Sequence, residues 1–182
     1  MNTNTSSITT RPLQTADLQQ IHDVALTSWQ RTYQGVFEPA VIVQYVQTYY
    51  HPDQLQPMLA LIECGETFFE VALDGQQDGQ QIVGFCQIGF TPQRAARLFR
   101  IYLLPAYIGR GIGSTLVRRG EAWLQSKGIP EYGCYVHSAN TVGKQFYERQ
   151  GFIHQPEQDQ DEEWYMHKRL PWSLRDQPQQ QP

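Results

Sequence analysis

The chain has 182 residues, 40% hydrophobic and 18% charged, enough to enclose one core and consistent with a single domain. Its formal net charge of -4 argues against a general nucleic-acid binder, which needs a basic face to neutralise phosphates. No apolar run reaches the length of a membrane span and the first residues lack the basic and apolar halves of a signal peptide, so the expected location is cytoplasmic.

Cys64, Cys86 and Cys134 are far apart and show no metal-ligand spacing, so reduced structural thiols and no metal are expected. Met1 to Ser7 is polar, and the stretch from Trp172 to Pro182 is rich in Gln and Pro; both are expected to be disordered tails on a domain spanning residues 8–171. Ile8 to Leu13 reads as a first strand. Thr15-Ala16-Asp17 offers caps for a helix whose apolar positions are Leu18, Ile21, Val24, Ala25 and Trp29. A second helix starts near Pro39, with Val41, Ile42, Tyr45 and Val46 as its expected buried side and His51-Pro52 as its break. Between them lies the segment from Ser28 to Gly35, with Trp29 and Tyr33 one helical turn apart. Phe68 to Leu73 and Gln81 to Phe90 read as two strands around a Gly- and Asp-rich hairpin loop.

The next stretch joins a strand to a helix through glycines. Leu98 to Leu104 is an apolar and aromatic run stopped by Pro105, and Gly109, Gly111 and Gly113 follow at alternate positions. Ile112, Leu116, Gly120 and Trp123, with Val117 and Leu124 beside them, then form one helical face that ends at Lys127-Gly128. A helix opened by glycines presents unpaired N–H groups and the positive end of its dipole, which suits an anion such as a phosphate. Arg110, Arg118 and Arg119 add charge nearby. No Gly-Lys-Ser/Thr follows Gly113, which excludes a Walker loop; Ser114 and Leu116 stand where a dinucleotide fingerprint needs its third glycine. A plain tight turn packed through its glycines is the competing reading.

Tyr132 to His137 is a further strand, and Asn140 caps a helix carrying Val142, Phe146 and Arg149 on one face. Gly151 ends that helix, with Phe152 placed to fold back over its last turn. Phe152 to His154 and Trp164 to Leu170 form a closing hairpin around a loop holding Glu157, Asp159, Asp161, Glu162 and Glu163. The order predicts a mixed α/β fold.

Leu103 to Gly113 resembles the acetyl-CoA motif of the GNAT superfamily of N-acetyltransferases, roughly V-x-P-x-Y-(Q/R)-G-(K/R)-G-(I/V)-G, with Ile108 where the family usually has Gln or Arg. Asn140 to Phe152 is similar to a second signature of that family, N-x-x-(A/G)-x-x-(F/L)-Y-x-x-x-G-F. The Trp29 to Gly35 segment is similar to one that overlooks the acceptor in many of its members. The resemblance covers about Ile8 to Leu170 and implies a central mixed sheet of about seven strands flanked by about four helices.

It also implies direct acetyl transfer from acetyl-CoA to an amine. The pantetheine arm would pair with Ile101, Tyr102 and Leu103, and the pyrophosphate with backbone N–H groups of Gly109, Arg110, Gly111, Ile112, Gly113 and Ser114. Asn140 and Tyr147 belong to the cofactor side, Tyr147 as the donor to the departing sulfur, and Gly143 would allow close approach of the ligand chain. Tyr33 and Trp29 belong to the acceptor side, although their spacing also suits plain helix core. The general base stays unassigned: Tyr135 stands where some relatives carry Glu, and His137, Glu70 or a water are equal alternatives. The expected acceptor is a small-molecule or peptide amine, with neither nucleic acid nor membrane as partner and a homodimer left open. An idle acyl-CoA-binding module and a protein N-terminal or lysine acetyltransferase are the other readings. The acidic loop could draw a cationic acceptor or be only a solvated turn.

Overall fold

The computed structural model describes residues 8–75 and 80–171. The two expected tails, and the hairpin loop at 76–79, lie outside them. The strands are β1 (Ile8–Pro12), β2 (Thr67–Asp74), β3 (Gln81–Phe90), β4 (Ala96–Leu103), β5 (Glu131–His137), β6 (Ile153–His154) and β7 (Glu163–Arg169). They form one sheet in the order β1-β2-β3-β4-β5-β7-β6, antiparallel except where β4 meets β5. The longer helices are α1 (Leu18–Thr32), α2 (Pro39–Tyr50), α5 (Ile112–Ser126) and α6 (Thr141–Arg149); two short ones, α3 (Pro52–Leu55) and α4 (Pro57–Glu63), fill the stretch that the sequence reading passed over.

The sheet is buried on both sides. Leu18, Ile21, Val24 and Ala25 of α1 and Val46 and Tyr50 of α2 pack with Phe69, Val71 and Phe85 on one face. Leu116, Val117 and Leu124 of α5, with Tyr147 and Phe152, pack with Ile88, Leu98 and Cys134 on the other. Each such side chain contributes about 1.5–3 kcal/mol by leaving water. The second helix does not bury the face the sequence suggested. Ile42, Val46 and Tyr50 form the buried strip, whereas Val41 and Tyr45 are 51% and 38% exposed. An apolar helix can carry two stripes, and only one of them is buried here. Val142 is likewise 58% exposed, so it lies outside the face expected of α6.

Two departures from regular pairing shape the middle of the sheet. Gln87 pairs with Arg100 but Ile88 with Leu98, which leaves Phe99 as an extra residue in β4. The parallel partners β4 and β5 are in register only at Arg97 and Gly133. Beyond that pair toward their C-terminal ends the strands part, and the outer edge of β4 opens into a cleft.

Candidate active site

The cleft encloses about 850 Å³ and runs between the C-terminal halves of β4 and β5. Tyr147, Asn140, Gly143, Gly109, Gly111, Gly113 and Ser114 line it on the α5 and α6 side; Trp29, Tyr33, Tyr45, Tyr50, Arg100 and Tyr102 line it on the other. Several large apolar groups that water would disfavour open into it, among them Phe99, Ile108 and Val142, which are 41%, 50% and 58% exposed.

The glycine turn takes its shape from backbone dihedrals. Gly109 and Gly111 have φ of +82° and +80°, and a Cβ on either would meet nothing within 4 Å. Their glycines are therefore required by conformation, and they leave open space before the first N–H groups of α5. Gly113 has another reason, since a Cβ there would stand 3.1 Å from the Phe146 ring. Ile112 turns its side chain into the core, and neither it nor Arg110 is among the residues that line the cleft. Arg110 lies 4.8 Å over the Tyr107 ring, and Arg119 pairs with buried Glu70, so neither guanidinium is held in the turn. Ser114 accepts a hydrogen bond from Gln150 at 2.9 Å.

On α6, the Asn140 side chain accepts from the Gly143 N–H at 2.8 Å. That cap explains Gly143 directly, because a Cβ would fall 2.7 Å from the Asn140 amide. The helix ends on Gly151 with φ of +86°, where Phe152 N–H returns to the Tyr147 carbonyl at 3.0 Å and the Phe152 ring sits edge-on to Tyr147, 5.4 Å away. These contacts hold Tyr147, only 7% exposed, at the wall of the cleft. Burial pushes its phenol well above 10, so it stays a neutral donor through the physiological range.

The opposite wall is aromatic. Trp29 stacks on Tyr45 at 4.1 Å and leans on Tyr33 at 4.5 Å, and the Tyr50 hydroxyl donates to that of Tyr102 at 3.0 Å. Tyr33 is buried and meets His137 edge-on. Its phenol is pushed up by burial, an effect that the Asn140 amide partly offsets. Burial likewise raises Tyr45 to about 12. Ser28, which drew no attention in the sequence, donates to the Leu103 carbonyl at 2.8 Å and ties α1 to the end of β4.

The candidate bases resolve differently. His137 accepts the Ala139 N–H on Nδ1 at 3.1 Å and places Nε2 at 3.1 Å from Glu162, so both ring nitrogens are engaged. Glu70 is 5% exposed, bonded twice by Arg119, and lies outside the cleft lining. Among the described residues no group of three His, Cys, Asp or Glu side chains could hold a metal, and no helix is long and apolar enough to cross a membrane.

A model of the acetyltransferase (GNAT) family matches residues 25–152. The chain belongs to the GNAT family. This GNAT acetyltransferase is similar to a spermidine N(1)-acetyltransferase of Thermoplasma acidophilum, 32% identical over 80% of this chain and 88% of the relative. It is also similar to a mycothiol acetyltransferase of Acidimicrobium ferrooxidans, 34% identical over 57% of this chain but only 36% of that protein. Among solved structures, PaiA N-acetyltransferase from Thermoplasma acidophilum in complex with coenzyme A has a TM-score of 0.82 at 29% identity, covering 90% of this chain and 99% of that one. The seven-stranded mixed sheet is thus a GNAT sheet, and the protein is an acyltransferase.

Proposed function

We propose that this GNAT enzyme moves the acetyl group of acetyl-CoA directly to a primary amine of a small molecule, with Tyr147 at the departing sulfur. The observation that carries the assignment is Tyr147 itself, a buried neutral phenol fixed at the wall of a cleft that opens where β4 and β5 part. Relatives named for spermidine and for mycothiol acetylation support a small acceptor over a protein.

The cleft suits an extended acyl-CoA. The free edge of β4 at Ile101, Tyr102 and Leu103 can pair with the pantetheine amides, and the N–H groups from Gly109 to Ser114 face the position of a pyrophosphate. Gly109 and Gly111 leave the space that a Cβ would fill. Ile108 supplies apolar contact where a polar side chain is usual in the family. Asn140 holds the start of α6 and steadies Tyr33, so its part is to position both walls. Tyr33 and Trp29 form the acceptor wall.

Tyr147 works as a hydrogen-bond donor to developing thiolate. An ordinary tyrosine near pKa ~10 is already a weaker acid than a thiol near ~8.5, and burial widens the gap, so donation without full transfer is favoured. With His137 and Glu70 both engaged, the acceptor enters as the free amine and loses its proton to water after attack. Thiol release in the presence of an amine panel tests the reading. Amine-dependent turnover is expected; tight CoA binding with no thiol release for any primary amine would sink it.

A further inference from the structure

The charges in the cleft do not match a purely cationic acceptor. Its charged lining residues are Arg97, Arg100, Arg149 and Glu163, three guanidinium groups against one carboxylate, and Glu163 is exposed. Arg31, Arg110, Arg118 and Arg149 are exposed to water, and of the three half-buried arginines Arg11 meets Asp17. Arg97 and Arg100 meet no such partner among the described residues. Arg97 lies over the Tyr135 ring at 4.8 Å and Arg100 over Tyr50 at 4.8 Å, both partly buried.

Their side-by-side placement depends on the irregularity at Phe99. Residues three apart on a regular strand point to opposite faces. The extra residue reverses the alternation: Leu98 joins the core under α5, while Arg97 before it and Arg100 with Tyr102 after it lie on the face toward α1 and α2. On that same face one guanidinium donor, Arg100 Nη1, is shut from water without an acceptor, whereas Trp29 Nε1 has the Tyr102 hydroxyl beside it. Buried donors left unmade are costly, and a guanidinium over an aromatic ring is suited to a planar anion.

Resting on the acetyltransferase reading above, we infer that the acceptor is an amine that also carries a carboxylate, which Arg97 and Arg100 bind while the aromatic wall of Trp29, Tyr33 and Tyr45 covers its aliphatic part. Glu163, the one acid in the lining, then faces the amino end. A polyamine would bring charge of the wrong sign to both arginines.

The test uses acceptor pairs that differ by the carboxylate alone: lysine with cadaverine, and 5-aminopentanoate with butylamine. Thiol-release kcat/KM should be about 10- to 100-fold higher for the carboxylate member of each pair, the range of one charged hydrogen bond. R97Q and R100Q, checked for folding by circular dichroism, should bring the ratio toward one by raising KM for the carboxylate member more than they change kcat. Calorimetry of the same pairs on CoA-saturated protein reads the preference without turnover. Equal or weaker binding of the carboxylate members, or ratios that R97Q and R100Q do not move, would overturn the inference and leave the enzyme assignment standing. Absent thiol release with any amine would strike the assignment itself.

Discussion

The two walls of the cleft are built in different ways. The wall that we assign to the donor is made largely by chain neighbours: Gly109 to Ser114 form one turn, and Asn140 to Phe152 form one capped helix, each shaped by contacts within about five residues, with Gln150 joining the two through Ser114. The acceptor wall is assembled from afar. Ser28 reaches Leu103 across 75 positions and Tyr50 reaches Tyr102 across 52, and the Trp29, Tyr33 and Tyr45 rings come from two helices and their connection. A wall made locally tolerates little change in shape, which suits a constant co-substrate. A wall made of side chains from separate elements can be retuned one residue at a time, which suits an acceptor that varies between relatives.

Alkaline pH should act most strongly on the acceptor wall. Tyr33, Tyr45, Tyr50 and Tyr102 all have phenols raised by burial, so the folded state favours their neutral forms. Stability from this source is complete below the ordinary tyrosine value near ~10 and is lost as pH climbs past it toward about 12, where Tyr45 ionises in the folded protein. Each buried phenol steepens the loss by about 1.4 kcal/mol per pH unit. Thermal melts from pH 8 to 11.5 should show a flat region and then a steep fall; a gradual decline starting at neutral pH would argue against a cooperative tyrosine wall.

On the donor wall, Y147F should lower kcat about 100-fold with little change in CoA affinity, because a hydroxyl that acts on a developing charge contributes in the transition state. Steady-state kinetics beside CoA titration measures the split, and an unaltered kcat would remove Tyr147 from the chemistry. G111A puts a side chain at φ of +80°, which costs about 1–2 kcal/mol, and should weaken CoA binding about 10-fold by distorting the turn. If calorimetry finds CoA binding intact, the turn does not hold the pyrophosphate.

N140A bridges the walls. Loss of the cap should cost about 1 kcal/mol of stability, visible as a lower melting temperature, and acceptor KM should rise because Tyr33 loses its neighbour. A change in stability with no change in acceptor KM would separate the two walls. The smallest effect is expected at Glu163, whose exposed charge is screened by salt; E163Q should alter acceptor KM about 2-fold at low ionic strength and less at high. A large, salt-independent effect would mean that Glu163 contacts the reacting amine directly.

The difference between the walls also decides what could be read from residues alone. The glycine turn, the Asn140 cap and the Gly151 stop were legible because each depends on neighbours in the chain, whose spacing is visible in a string of letters. Arg119 counted as charge near the turn until its partner Glu70 appeared 49 positions away. His137 was one of several equal candidates for the base, and only the structure shows Ala139 and Glu162 at its two nitrogens. Val41 and Tyr45 looked like core because apolar periodicity reports a stripe without naming what it meets.

By itself the sequence determined the succession of strands, the four longer helices and the turn that opens α5, since local sterics and caps act within one or two helical turns. Only the tertiary structure decided that Arg97 and Arg100 share a face. That outcome comes from the register between β3 and β4, where one unpaired residue, Phe99, reverses the alternation of every side chain that follows it.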